Sequence, residues 1–223
     1  MIDVNKRDWI ENNDIIKSRK DDYKDMFKSA KFYIIVSNNS LIIKKEDDYS
    51  KYIIPLQQFI PNIPAYYHLF DQDKENYIKD IKSQIKKLKI KNATIIFPDD
   101  AMDIEVDKRM VIEFLMQCGV KKIQSDFQCF HLNLDNKKYI TISNTTRLIV
   151  MQYILYGKTI SKKYYEKDYT DTDQIKMDIK NLHPDCQYGG IPIYINNIND
   201  DMERFKVVGD LISLDNIIRN IKG

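Results

Sequence analysis

Five carboxylates, Asp99, Asp100, Asp103, Glu105 and Asp107, crowd into a short stretch behind the apolar run that ends at Phe97-Pro98. The carboxyl end of a buried strand is a common ligand site in α/β proteins, and paired carboxylates there could hold a metal for hydrolysis. Lys108 lies close by, yet no correctly spaced acid-x-lysine triplet of a metal-dependent nuclease is present. The expected state is a solvated loop leading into a helix N-terminus that favours negative charge. Cys129, His131, His183 and Cys186 are soft ligands that could meet around zinc. Because C-x-H and H-x-x-C are not a recurrent structural pair, Cys129 is expected in the core and His183 at a helix C-terminus, with no metal site. His68, among aromatics, is expected to pack. No Ser/His/Asp or Cys/His arrangement suggests a catalytic residue. Lys79, Lys82, Lys86 and Lys89 share one helical face, which could meet anionic lipid or nucleic acid but is expected to be solvated.

Glycine is the scarcest useful residue, with 6 in 223 against a usual share of about 7%. Phosphate loops need glycine so that backbone N–H groups can approach the anion, and no G-x-G, G-x-x-x-x-G-K or G-x-S-x-G string occurs. Lys and Arg number 35 against 33 Asp and Glu, so no strongly basic surface argues for nucleic acid. The 43% apolar and 11% aromatic content is enough for a buried core. Three scattered cysteines fit a reducing compartment, and no long apolar run suggests a membrane span or secretion signal. A cytoplasmic location is expected.

The elements that must position these residues follow from periodicity. Residues 1–30 are polar and read as a short helical leader. Phe32–Val36 and Leu41–Ile43 are β-rich runs joined by Ser-Asn-Asn-Ser, with a third strand at Tyr52–Ile54. Pro55, Pro61 and Pro64 predict irregular chain until Asp71. Tyr77, Ile78, Ile81, Ile85 and Leu88 then recur at helical spacing, as do Met110, Val111, Phe114, Leu115 and Cys118 before Gly119. Strands are predicted at Ala93–Phe97 and Val120–Ile123, with a bridging strand over Phe127–Leu132. The order then starts again: strands at Tyr139–Ile142, Thr146–Ile154 and Thr159–Tyr165, a helix through Ile175, Ile179 and Leu182, a strand at Ile191–Ile195, and one or two short helices from Asp200. Residues 31–134 and 135–223 therefore read as two similar α/β halves, each β-β-β-α-β-α with a mixed sheet in which an antiparallel meander is extended by parallel strands.

That duplicated, ribonuclease H-like plan resembles the actin-like ATPase superfamily, which includes actin, bacterial filament proteins, sugar kinases and heat-shock chaperone ATPases. The local match is Asn92-Ala93-Thr94-Ile95-Ile96-Phe97-Pro98, then Asp107-Lys108-Arg109 opening a helix that ends Gln117-Cys118-Gly119-Val120. It is similar to the family's strand ending in proline, followed by a helix that starts on a basic pair and ends in an alanine-glycine step. Phe32–Ser40 and Tyr139–Thr146 resemble the two phosphate hairpins, and Ile193–Asn197 resembles the strand before the adenosine loop.

Departures from the family text govern what the resemblance implies. Where the family has a magnesium-positioning aspartate and glycine turns, this chain has Ser37, Asn38 and Asn39 in the first hairpin, Ser143, Asn144 and Thr145 in the second, and Asn196 and Asn197 at the adenosine loop. Asparagine tolerates left-handed turns, so the turns can survive without the ligand. The second half is also too short for the subdomain that usually closes over the nucleotide. The implied protein is a non-catalytic scaffold or adaptor with no cofactor, binding a protein partner in a cytoplasmic, membrane-peripheral assembly. The alternatives are a nucleotide-binding ATPase or kinase with an altered pocket, and a nuclease using Asp99 and Asp100. Ile60, Ile63, Tyr66, Tyr67 and Phe70 fit neither strand nor helix spacing and are the candidate partner-binding residues.

Overall fold

The computed structural model describes residues 31–221 except 47, 49, 134 and 136. The leader proposed for 1–30 lies outside the described residues. Ten strands form two five-stranded sheets. The first is built from β1 (Lys31–Val36), β2 (Ser40–Lys45), β3 (Lys51–Pro55), β4 (Asn92–Phe97) and β5 (Lys122–Phe127), in the order β3-β2-β1-β4-β5. The second is built from β6 (Lys138–Asn144), β7 (Leu148–Leu155), β8 (Lys158–Glu166), β9 (Ile193–Asn197) and β10 (Asp210–Ser213), in the order β10-β9-β6-β7-β8. In each sheet the first three strands are antiparallel and the last two parallel, so the two halves share one plan.

Strand alternation explains the layers. Ile34, Val36, Leu41, Ile43, Ile95 and Phe97 point to one face of the first sheet and pack under helices α1 (Glu75–Lys87) and α2 (Glu105–Gln117). Their alternates Tyr33, Ile35, Ile42 and Ile96 point the other way, against Tyr139, Ile154 and Tyr194 of the second half. Ile140, Ile142, Met151 and Ile195 form a third cluster under α3 (Thr172–Asn181). Strands buried on both faces need near-continuous apolar sequence, which is what β1, β4 and β7 supply.

Local signals set the helix ends. Ile78, Ile81 and Ile85 are the buried stripe of α1, with Glu75 in its first turn and Lys86 and Lys87 in its last. Gly119, at φ +99°, stops α2. Asp171 caps α3 by accepting from the backbone N–H groups of Asp173 and Gln174, and Ser213 caps the last helix, α4 (Leu214–Asn220).

Three expectations need correction. The bridging strand over Phe127–Leu132 is the end of β5 followed by a 3-10 turn, Gln128–His131; buried Cys129 and Leu132 imitate strand spacing. The proline-interrupted stretch contains a 3-10 helix, Ala65–Phe70, which Pro64 precedes with its carbonyl accepting from Tyr67 N–H at 2.9 Å. In the second half no helix separates the last two strands: a turn at Glu203–Phe205 leads directly to β10, a strand too short and too exposed to show in the pattern. Gly209 makes that return possible, because a Cβ there would lie 2.5 Å from the Ile193 carbonyl oxygen. Gly209→Ala is therefore expected to lower stability by about 1–3 kcal/mol, read as a shifted urea midpoint with an unchanged slope.

Candidate functional site

The two hairpin turns, β1–β2 and β6–β7, meet at the carboxyl ends of β4 and β9. In the first turn the Ser37 N–H donates to the Ser40 carbonyl at 2.9 Å and the two serine hydroxyls pair at 2.7 Å. In the second, Thr145 N–H and Oγ1 both donate to the Leu148 carbonyl at 2.9 Å. Side-chain oxygens thus stabilise turns that would otherwise call for glycine.

The turns are also tied to each other. Thr146 Oγ1 donates to Asn38 Oδ1 at 3.2 Å, and Asn38 N–H donates to Asn199 Oδ1 at 3.3 Å. Gln128 donates to the Val36 carbonyl and accepts from Asn196 Nδ2, both at 2.7 Å. Asn197 Oδ1 accepts from Met202 N–H at 2.9 Å, and Asn144 Nδ2 donates to Asp201 at 2.8 Å. Ser37, Ser143, Asn144, Thr145, Asn196 and Asn197 are all buried; Asn38 is half-buried and only Asn39 is exposed.

The acidic cluster is not a solvated loop. Asp99 and Asp107 are fully buried and Asp100 nearly so, while only Asp103 and Glu105 reach solvent. Asp99 accepts from Cys129 N–H at 2.8 Å and from the Ser143 hydroxyl, which uses both its oxygens. Arg147, in the β6–β7 turn, donates Nε to Asp100 at 2.8 Å and Nη2 to Asp107 at 2.6 Å. Tyr66 and Tyr67 hydroxyls complete the shell of Asp107. Asp99, Asp100 and Asp107 belong to the first half, Ser143 and Arg147 to the second, so the cluster works as a joint. Sequence reasoning missed Arg147 and Gln128. The available signal for Arg147 was a lone cation in a turn between two apolar strands.

Burial pushes the Asp99 and Asp100 carboxyls above the ordinary value of 3.8, against the hydrogen bonds of Ser143 and Cys129 at the first and the charge of Arg147 at the second. At Asp126 burial acts in the same direction, but its contact with His131 at 2.9 Å outweighs it and holds that carboxyl low.

The zinc quartet is not assembled. Cys129 packs in the cluster between the sheets, Cys186 in the cluster under α3, His131 pairs with Asp126, and His183 stacks on Tyr153 at 4.9 Å. Among the described residues no group of three or more His, Cys, Asp or Glu could hold a metal ion. Of the candidate partner-binding residues, Ile60, Ile63 and Phe70 are exposed, Tyr67 is half-buried, and Tyr66 is core, a correction explained by its hydrogen bond to Asp107 at 3.0 Å. His68 packs edge-on to Phe59 at 5.1 Å and bonds Asp71 at 2.6 Å. On the lysine face, Lys79 pairs with Glu75 and Lys82 reaches Gln117.

No family model matches the sequence, and no curated protein matches it. Solved structures do. The chain is similar to ethanolamine utilization protein EutJ from Carboxydothermus hydrogenoformans, at 8% identity over 87% of this chain and 90% of that one, with a TM-score of 0.48. It is similar to a Bacteroides thetaiotaomicron protein described as having an actin-like ATPase fold and unknown function, at 10% identity over 87% and 95%, with a TM-score of 0.48. It is also similar to the filament of AlfA from B. subtilis plasmid pLS32, at 11% identity over 83% and 91%, with a TM-score of 0.45. The fold is actin-like, and the common strand order of the two sheets is what shows it.

Two measurements check this site. Tyr66→Ser should cost about 3–5 kcal/mol, as for other buried aromatics cut to a small residue, whereas Ile60→Ser should stay within about 0.5 kcal/mol of the parent. The second is a pH profile. Asp99 holds its proton more tightly folded than unfolded, so its stabilising contribution is full below 3.8 and is lost as pH rises through the raised folded value. Asp99→Asn lacks that loss, and its stability relative to the parent should improve as pH rises from about 4 to about 8.

Proposed function

We propose that the chain is a catalytically silent actin-like protein that serves as a scaffold or adaptor for another protein. One observation carries this reading: the positions that would face nucleotide phosphate and adenosine are filled by buried side chains hydrogen-bonded across the cleft. Admitting a nucleotide between the hairpins would break at least those bonds, at about 1 kcal/mol each, and strain the Arg147 pairs, whose loss is worth about 3–5 kcal/mol. Binding at 1 mM affinity supplies only about 4 kcal/mol. The nearest charges also oppose a polyphosphate, since Asp100 and Asp107 outnumber Arg147.

The two catalytic alternatives gain less support. An ATPase with an altered pocket would need the hairpins apart. A nuclease would need oxygens of Asp99 and Asp100 facing solvent, where they are buried. Among the described residues no helix is long and apolar enough to cross a membrane. The exposed Ile60 and Ile63 are the surface this reading assigns to a partner.

Thermal melting with magnesium and ATP tests the proposal. At several millimolar ATP the melting temperature should stay within about 1 °C, because only a ligand of the native state shifts it by mass action. A rise of several degrees overturns the silent reading. A photo-crosslinker placed at Ile60 or Ile63 should capture a discrete protein, and one placed at buried Leu69 should not.

A further inference from the structure

The internal repeat supplies its own control for one exposed edge. In the second half the outermost parallel strand, β10, runs into α4, whose Ile217 and Ile218 are buried in the cluster between the sheets. In the first half β5 runs instead into the short turn Gln128–His131, and only β4 pairs with it among the described residues. Lys122, Gln124 and Ser125 on this strand are exposed. An edge of this kind presents a row of N–H and C=O groups that another chain can pair with.

Two adjoining cavities follow β5. One, of about 710 Å³, lies along Tyr33, Thr94, Gln124 and Asp126 and ends against Ile221 beyond α4. The other, of about 550 Å³, lies at the start of β1, β4 and β5 beside Lys121 and Lys122. They share Lys31, Ile123 and Gln124 and so form one continuous groove.

The groove carries a definite charge. Lys31, Lys121 and Lys122 have no carboxylate partner among the described residues, and the Lys31 ammonium sits 5.0 Å over the Tyr33 ring. At the far end the one carboxylate, Asp126, is already paired with His131. The unmatched charge is therefore all positive. Its lining is also wrong for a helix: an amphipathic helix needs an apolar groove, and Thr94, Gln124, Asp126 and His131 are polar. Thr94 is buried with its hydroxyl unpartnered among the described residues.

We propose that the outer edge of β5 is a docking site for an acidic, extended segment of a partner protein, which joins the first sheet as a sixth strand. Backbone pairing supplies affinity. Specificity comes from alternate side chains, with carboxylates reaching Lys31, Lys121 and Lys122 and the neighbouring residues entering the larger cavity. Three lysines are few for a phosphate backbone, for which specific binders commonly use about 6–10 contacts. This deepens the scaffold reading by naming a surface and the chemistry of its partner. It is tested apart from nucleotide, so either can fail alone.

The probes are nine-residue peptides in which Val and Thr alternate with Glu, Gln or Lys, with oligothymidylate as the nucleic-acid control. Binding to the full chain is followed by fluorescence anisotropy and by hydrogen exchange. The Glu set should bind at least tenfold tighter than the Gln set, and the Lys set should not bind. With a Glu peptide bound, amides of residues 122–126 should exchange at least tenfold more slowly, while those of 51–54 at the opposite edge stay unchanged. Lys121→Glu combined with Lys122→Glu, both exposed, should keep the melting temperature and lose at least tenfold in affinity. The proposal is overturned if Gln or Lys peptides bind as well as Glu peptides, if oligothymidylate displaces them, or if protection appears elsewhere. It is equally overturned if the β5 amides of the free chain already exchange as slowly as those of β4.

Discussion

Arg147 holds two carboxylates of the opposite half, Asp100 at 2.8 Å and Asp107 at 2.6 Å, and the arrangement of the two sheets depends on that grip. Apolar packing between the sheets is strong but tolerant of sliding, since Tyr33, Ile35 and Ile96 meet Tyr139, Ile154 and Tyr194 as shapes without direction. A guanidinium fork has direction. Its planar donors accept two carboxylates only in one relative placement, so the pair fixes how the second hairpin sits on the turn after β4. Replacing the group with hydrophobic side chains could be neutral in stability; removing one member alone would leave a buried charge uncompensated. The value of Arg147 lies in orientation as much as in energy.

Once that joint is set, the cleft has little room for a hinge ligand. The hairpin turns approach closely enough for Thr146 to reach Asn38 and for Gln128 to bond both Val36 and Asn196. Each of these side chains does in solid form what a ligand between two lobes would do as a removable bridge. The hydroxyls and amides that replace glycine serve two purposes: they complete their own turns, and they satisfy one another across the interface. Buried polar groups that left partners unmade would cost about 1–3 kcal/mol each, and so the substitution is stable only because it is collective.

Much of this fold was legible because its signals are local. Ile78, Ile81 and Ile85 announce α1, Gly119 ends α2, and Ser-Asn-Asn-Ser closes the first hairpin, all within a few residues of chain. What escaped is non-local or too short. Asp100 and Asp107 read as solvated because the cation that buries them lies 47 and 40 residues away. Tyr66 read as a surface ring because Asp107, its partner, is 41 residues distant. β10 has four residues and no apolar alternation. Cys129 and Leu132 imitated a strand because a 3-10 turn can bury both, and burial alone does not report backbone conformation.

A closed interior also relocates the question of function. In a fold whose lobes move, the cleft is the site and the outer surfaces follow it. Here the polar groups at the cleft are spent on one another, so whatever the chain recognises must meet an outer surface. The two halves are unequal in this respect. The second half carries a helix directly after its final strand, whereas the first has a four-residue turn at the corresponding point. Duplication would have produced two equally covered sheets, and the missing cover leaves β5 with open backbone groups beside cations that have no carboxylate partner among the described residues. Lysines at a strand edge ordinarily prevent self-pairing, because like charges on two copies repel. The same lysines do not repel an acidic segment. Edge protection and partner selection are therefore one electrostatic property, read by different neighbours.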